Sequence, residues 1–248
     1  IVLTQNLAEI LKNSEQNRQL QYHLATQRLQ EAYAIYKAAL PVYIILTQCD
    51  RLQGFYAYFY NVHHARQTDF LGVITDELKQ TGSKKLKLKE YFELKFNDLI
   101  AGINERLIDH LHQEWNTTLR LQMADFPHQF DSMRALLTAM VYFIADKAKL
   151  HDTLTLKGVF FTSAVQGNHY IDNLTDKAAG SQAVSTDAAN LQHNDYFIQG
   201  LFRYITTQSH NRAKKHSLPN MLTNTAIGVT SLAIISFLTY RLTHDIQL

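Results

Sequence analysis

Leu40-Pro41-Val42-Tyr43-Ile44-Ile45-Leu46-Thr47-Gln48-Cys49-Asp50 is an unbroken apolar, β-branched and aromatic run that stops at polar residues. A strand covered on both faces of a parallel sheet has this composition. Pro41 is admissible because it stands at the strand's start, where its missing N–H does least harm. Ligands of open α/β sheets gather at the carboxyl ends of strands, so Thr47 to Asp50 is expected at such an edge. A plain core strand with a polar end accounts for the same residues.

Upstream, Ile1-Val2-Leu3-Thr4 reads as the end of another buried strand, and Leu7, Ile10 and Leu11 as a short helical stretch. Asn13 or Ser14 caps a long helix expected to run to about Leu40, with Leu20, Leu24, Leu29, Ala32, Tyr36 and Leu40 on or near one face. Strand, helix, strand is a βαβ unit, so the two strands are predicted to be parallel. Downstream, Leu52-Gln53-Gly54-Phe55 leads into Tyr56, Tyr58, Phe59 and Tyr60, a loop and short helix expected to pack rings on the sheet. Lys84, Lys85, Lys87 and Lys89 alternate with Leu86 and Leu88 as a solvated helix start does. A helical pattern then runs from Leu86 to about Met123, through Leu94, Leu99, Ile103, Leu107, Leu111 and Trp115. Phe126-Pro127 is expected to break the chain, and Gln129 to Lys149 reads as a further helix. Leu156 to Ala164 is a second strand ending in Thr162, Ser163 and Ala164. The small, polar stretch Ala178 to Asn190 reads as a loop, and ordered structure resumes from Tyr196 to Phe202.

The 248 residues have room for one large α/β domain, or one domain with appendages. With 9 Gly and 3 Pro, long disordered linkers are not expected, and a net charge of +2 makes no electrostatic case for nucleic acid. Cys49 is the single cysteine, so no intrachain disulfide can form. The 12 histidines are scattered; His110 and His112, two apart, point to different faces of a helix, and no HExxH or CxxC pattern occurs. The chain opens on Ile1 and reads as part of something longer. Asn220 to Tyr240 carries no charge and has about the 20 residues a bilayer core requires. Arg203, Arg212, Lys214 and Lys215 precede it and Arg241 follows, which predicts a cytoplasmic bulk before Asn220.

Thr47-Gln48-Cys49-Asp50 resembles the base-reading tetrad of P-loop GTPases, in which Asp accepts two N–H bonds from guanine and a Lys stem lies along the base. Gln48 stands in the Lys slot. Ser163-Ala164 resembles the later pair that presents a backbone N–H to the guanine oxygen, and it follows in the right order. The nucleotide-binding candidates, on the guanine side and vestigial, are therefore Thr47, Gln48, Asp50, Ser163 and Ala164, with no catalytic or metal residue assigned.

A wider resemblance covers nearly the whole chain. Leu40–Asp50 followed by Gly54-Phe55 is similar to the LPVY…TKCD…GF stretch of the IcmF/TssM proteins of bacterial secretion machines. Phe126-Pro127-His128-Gln129-Phe130 resembles their FPxxF element, and Leu156 to Gly167 their LRGxxFTSxxQxG element. Asp172-Asn173-Leu174 fits the following DxL, Tyr196-Phe197-Ile198 through Leu201-Phe202 the YF(I)xxLF element, and Ile1–Thr4 with Leu7–Leu11 the VxLTxxxxDLL segment. The resemblance implies an α/β fold: a partial P-loop GTPase-like parallel sheet over 1–85 and 150–176, a helical subdomain over 86–149, an extension over 177–219 and a transmembrane helix over 220–242. It implies a structural inner-membrane component of a type VI or Dot/Icm type IVB system, a GTPase-like scaffold that docks a DotU/TssL-type protein beside other secretion-machine subunits, and not an enzyme. Gln-, His- and Tyr-rich composition leans toward Dot/Icm. No cofactor is expected, since no GxxxxGK[ST] occurs in the chain and GTP would need a phosphate loop upstream. Two alternatives stand beside this: an active nucleotide switch completed by such a loop, and a membrane-anchored adaptor unrelated to secretion.

Overall fold

The computed structural model describes residues 1–37, 40–60, 69–75, 86–148, 155–164, 171 and 195–208. Strand β1 (Val2–Asn6) leads into helix α1 (Leu7–Lys12), where the Asn6 side chain accepts from the Glu9 N–H at 3.3 Å. Ser14 accepts in the same way from Asn17 and opens α2 (Glu15–Tyr36). The chain returns as β2 (Pro41–Thr47), the run from which the fold was read. A 3-10 turn (Cys49–Arg51) and the short helix α3 (Phe55–Phe59) follow, then β3 (Leu71–Ile74). Three helices, α4 (Leu86–Gln113), α5 (Thr117–Asp131) and α6 (Arg134–Lys147), precede β4 (Thr155–Phe161).

The strands lie in the order β1-β2-β4-β3. β1, β2 and β4 are parallel, as two successive crossovers require. The sheet as a whole is mixed, because β3 runs antiparallel to β4, with Leu71 opposite Phe161 and Ile74 opposite Gly158. This corrects the expectation of a wholly parallel sheet. The strand escapes detection because it is four residues long and contains Gly72. That glycine is needed for close approach: a Cβ there would sit 2.7 Å from the Phe160 ring, and one at Gly158 would meet the same ring at 2.7 Å. Phe160 thus fills the space two glycines leave.

One face of the sheet, carrying Val42, Ile44, Leu46, Val159 and Phe161, shares a single apolar core with residues of α1, α2, α4, α5 and α6. α2 meets that core with Tyr22, Ala25, Thr26 and Leu29, whereas Leu20 and Leu24 are more than half exposed. The predicted face was therefore rotated. Small residues at 25 and 26 let the helix approach α6, and Thr26 hides its hydroxyl in a 2.7 Å bond to the Tyr22 carbonyl. The helix ends at Tyr36 rather than near Leu40, because Lys37 turns left-handed (φ 47°) with its N–H on the Tyr33 carbonyl.

The helical region breaks in a different place from the one predicted. The chain interrupts at Glu114–Asn116, where the Asn116 carboxamide oxygen accepts from Thr118 at 2.9 Å and Leu119 at 3.3 Å, starting α5 anew. Pro127 lies inside α5, not at a break. A proline there costs about 3 kcal/mol, and full burial of Phe126 and Phe130 beside it offsets this, since truncating such a ring costs about 3–5 kcal/mol.

The chain divides into two compact units, Ile1–Leu201 and Phe202–Leu248; the second is described only over 202–208, which are helical. The expected loop at 178–190, the Asp172–Leu174 match, Lys84, Lys85 and the apolar span Asn220–Tyr240 lie outside the described residues. Among the described residues, no helix is long and apolar enough to cross a membrane.

Candidate functional site

The carboxyl ends of β2 and β4 adjoin and carry the five sequence candidates, of which Asp50 and Ser163 are in contact. Beyond the strands, Thr162 donates to the Leu46 carbonyl at 2.8 Å and Cys49 donates to the Thr162 carbonyl at 3.2 Å, so the two chains stay in register through the turn. Thr47 is half-buried, its hydroxyl 3.3 Å from the Gln5 carbonyl of β1. Gln48 is left-handed (φ 58°), which reverses the chain and sends Cys49 and Asp50 inward. Cys49 is fully buried with its thiol on the Leu46 carbonyl, and burial pushes that thiol well above its usual range, so it is held neutral.

Asp50 is 1% exposed and Ser163 is 0% exposed, and the Ser163 hydroxyl donates to the Asp50 carboxylate. A buried carboxylate without such donors would cost several kcal/mol, on the order of 3–5 kcal/mol for an ion stripped of its partner. Ser163 is itself held by a two-way backbone bridge to Tyr196, with N···O distances of 2.8 and 3.2 Å. Ala164 is exposed, and its N–H carries no hydrogen bond among the described residues. The arrangement can offer a carboxylate acceptor and one backbone donor to a flat polar ring. It fits the guanine side of a nucleotide in part only, since the carboxylate is covered and Gln48 brings no cation.

The turn after Asp50 is tied down twice. Gln53 donates to the Ile171 carbonyl at 3.0 Å and Ile171 donates to the Arg51 carbonyl at 2.6 Å, a parallel bridge centred on buried Leu52. Gly54 then adopts φ 82° directly beneath α5, where a Cβ would clash with the Gln122 carbonyl and lie 2.9 Å from Phe126 Cβ. Phe55 enters an aromatic cluster edge-on: ring centroids stand 5.9 Å from Phe126, 5.5 Å from Tyr196 and 6.5 Å from Phe197. Phe59 reaches Phe197 at 4.9 Å, and Phe130 reaches Phe161 of β4 at 4.8 Å. The Phe55 and Phe59 rings meet α5, Tyr196 and Phe197, and it is Phe130 of α5 that reaches the sheet, where the sequence pointed the first two at the sheet.

A second contact layer was missed in the sequence. Tyr58 stacks on His110 at 4.6 Å and donates its hydroxyl to the Ile103 carbonyl at 2.6 Å. The Tyr60 hydroxyl donates to Glu114, whose other oxygen accepts from the Asn116 N–H at 2.7 Å. The Tyr60 hydroxyl, then the backbone donors of Asn116 and Trp115, hold the Glu114 carboxyl below its usual value against the opposing effect of burial. Trp115 beside it is 93% exposed. The only signal for this corner is the Glu-x-Asn spacing, in which both side chains can cap. Among the described residues, no three His, Cys, Asp or Glu side chains gather as a metal site would.

The quoted elements TQCD, GF, FPHQF, FTSA and YF therefore converge on one locus at the end of the strand that LPVY begins. The family model for the IcmF-related N-terminal domain matches residues 1–226. The chain belongs to the IcmF-related family. This IcmF-related chain is 26% identical over 250 residues to the type VI secretion system component TssM1 of Pseudomonas aeruginosa, an alignment covering 95% of the chain. It spans 22% of that relative's length. No solved structure matches it.

Proposed function

We propose that this chain is a structural component of a bacterial secretion assembly, a GTPase-like scaffold that docks a small DotU/TssL-type membrane protein and does not turn over nucleotide. The observation that supports this is the use to which the family elements are put. Gly54, Phe55, Phe126, Phe130, Tyr196 and Phe197 pack the helical layer onto the strand ends, with Asp50 enclosed behind Ser163. A closed, cross-braced strand end suits a rigid platform better than a site that must admit a purine. The matched relative belongs to a type VI system, which favours that machine over Dot/Icm. Asn220–Tyr240 would anchor the platform at the inner membrane with the preceding bulk in the cytoplasm. Protease added to inverted vesicles should then digest the region before Asn220, and full protection would contradict it.

A second reading, a nucleotide switch whose phosphate loop lies upstream, draws on one observation. Thr47, Gln48, Asp50, Ser163 and Ala164 stand together at the ends of adjacent parallel strands. The separating experiment is co-purification of the DotU/TssL-type protein with tagged full-length protein. The scaffold reading expects equal recovery with and without GTP; recovery that requires GTP, or no recovery at all, would overturn it.

A further inference from the structure

α4 and α6 run side by side above the sheet in opposite directions: Arg134, at the start of α6, lies over the Phe96 ring midway along α4 at 5.9 Å. Between the first turns of α4 and the length of α6 is a groove of about 830 Å³. Its floor is apolar and low, formed by Ala135 and Ala139, one turn apart and both exposed, with the Tyr142 and Phe143 rings beside them. The α4 bank carries Glu90 and Glu93, which make no hydrogen bond or ion pair among the described residues. Lys89 precedes Glu90 on the α4 bank, and Asp146 and Lys147 close the groove at the end of α6. The groove therefore has a low apolar floor and, along its α4 bank, two carboxylates with no partner among the described residues.

We propose that this groove binds an amphipathic helix of a protein partner, with large apolar side chains over Ala135 and Ala139 and Lys or Arg opposite Glu90 and Glu93. Three features select that occupant. Two exposed alanines at helical spacing leave depressions into which side chains at i and i+4 of a third helix can insert. Tyr142, 39% exposed, supplies an amphipathic ring at the edge of such a contact, the residue type favoured where an apolar body meets a wet rim. The two carboxylates have no partner of their own in the described residues, so a cation arriving there forms a new pair instead of breaking an old one. This deepens the scaffold reading by naming where and how a partner is held, and it rests on that reading only for the partner's identity.

The test uses the full chain and two fluorescent helical peptides of about 18 residues that share one Leu face, flanked by Lys in one and by Glu in the other. Anisotropy should show the Lys-flanked peptide binding at least about tenfold more tightly. The pair Glu90→Lys and Glu93→Lys should reverse that preference, and Ala139→Trp, an exposed position whose filling leaves the core alone, should weaken the Lys-flanked peptide by about tenfold. Equal binding of the two peptides, or Lys-peptide binding unchanged by Ala139→Trp, would overturn the groove. If the peptides discriminate as stated but no DotU/TssL-type protein co-purifies, the groove stands and the scaffold reading falls. If the partner co-purifies undiminished with both groove variants, the groove is the wrong place and the scaffold stands.

Discussion

Replacing Gly54 with alanine adds one methyl group at the point where the turn after Asp50 passes under α5. Two costs follow from the structure. At φ 82° an L-residue is held in the left-handed region, which costs roughly 1–2 kcal/mol. The new Cβ would also press on the Gln122 carbonyl and lie 2.9 Å from Phe126 Cβ, and neither is the far end of a flexible chain. Overpacking against such neighbours costs about 1–3 kcal/mol. The sum is about 2–5 kcal/mol, or a fall in Tm of roughly 4–20 °C for a unit of this size. Gly102 is the control, because a Cβ there would meet nothing within 4 Å and the residue lies inside α4. Gly102→Ala should stabilise by about 0.5–1 kcal/mol. Urea unfolding of both variants, followed by circular dichroism, checks the pair. A Gly54→Ala loss below about 1 kcal/mol would refute the claim that α5 is seated directly on this turn.

Ser163→Ala removes the hydroxyl that meets the buried Asp50 carboxylate and should cost about 1.5–3 kcal/mol by the same unfolding assay, with no change expected if the bond is incidental. Glu114 has a lowered folded pKa, so its contribution is complete above the ordinary carboxylate value of 4.5 and is lost as pH falls through the folded value. Glu114→Gln should therefore be less stable than the parent at neutral pH and converge with it in acid; a gap that persists at low pH would contradict this. Trp115, the single tryptophan and 93% exposed, should emit like a solvated indole and be quenched by acrylamide almost as readily as free tryptophan, whereas a blue-shifted, protected emission would place it in an interface.

The two central strands are legible because β2 and β4 are covered on both faces and read as continuous apolar runs, and Ser14 announces α2 by its capping oxygen. The buried face of α2 is not legible by hydropathy, which favours Leu20 and Leu24 over the Tyr22, Ala25 and Thr26 that the core uses. Gly72 and Pro127 both take their roles from packing partners. Pro127 reads as a breaker yet is carried by the packing of Phe126 and Phe130 around it, and Gly72 serves close approach to the Phe160 ring in a strand with no sequence signal of its own. At the site, order along the chain is enough to pair Thr47–Asp50 with Ser163-Ala164. The bridge from Ser163 to Tyr196 and the seating of Gly54 on α5 involve residues far apart in sequence, and no local pattern encodes them.

The strand-end cluster holds either a structure or a nucleotide, and the two differ in binding energy. Asp50 and Ala164 can supply guanine with about three hydrogen bonds, worth roughly 4–7 kcal/mol before ordering and desolvation costs of about 4–15 kcal/mol. No phosphate-binding GxxxxGK[ST] follows in the 248 residues to make up the difference. Titration calorimetry of this chain with GTP and Mg²⁺ is the direct measurement. The expected result is no binding tighter than about 1 mM. A dissociation constant near 1 μM, lost in a folded Asp50→Asn variant, would contradict the account.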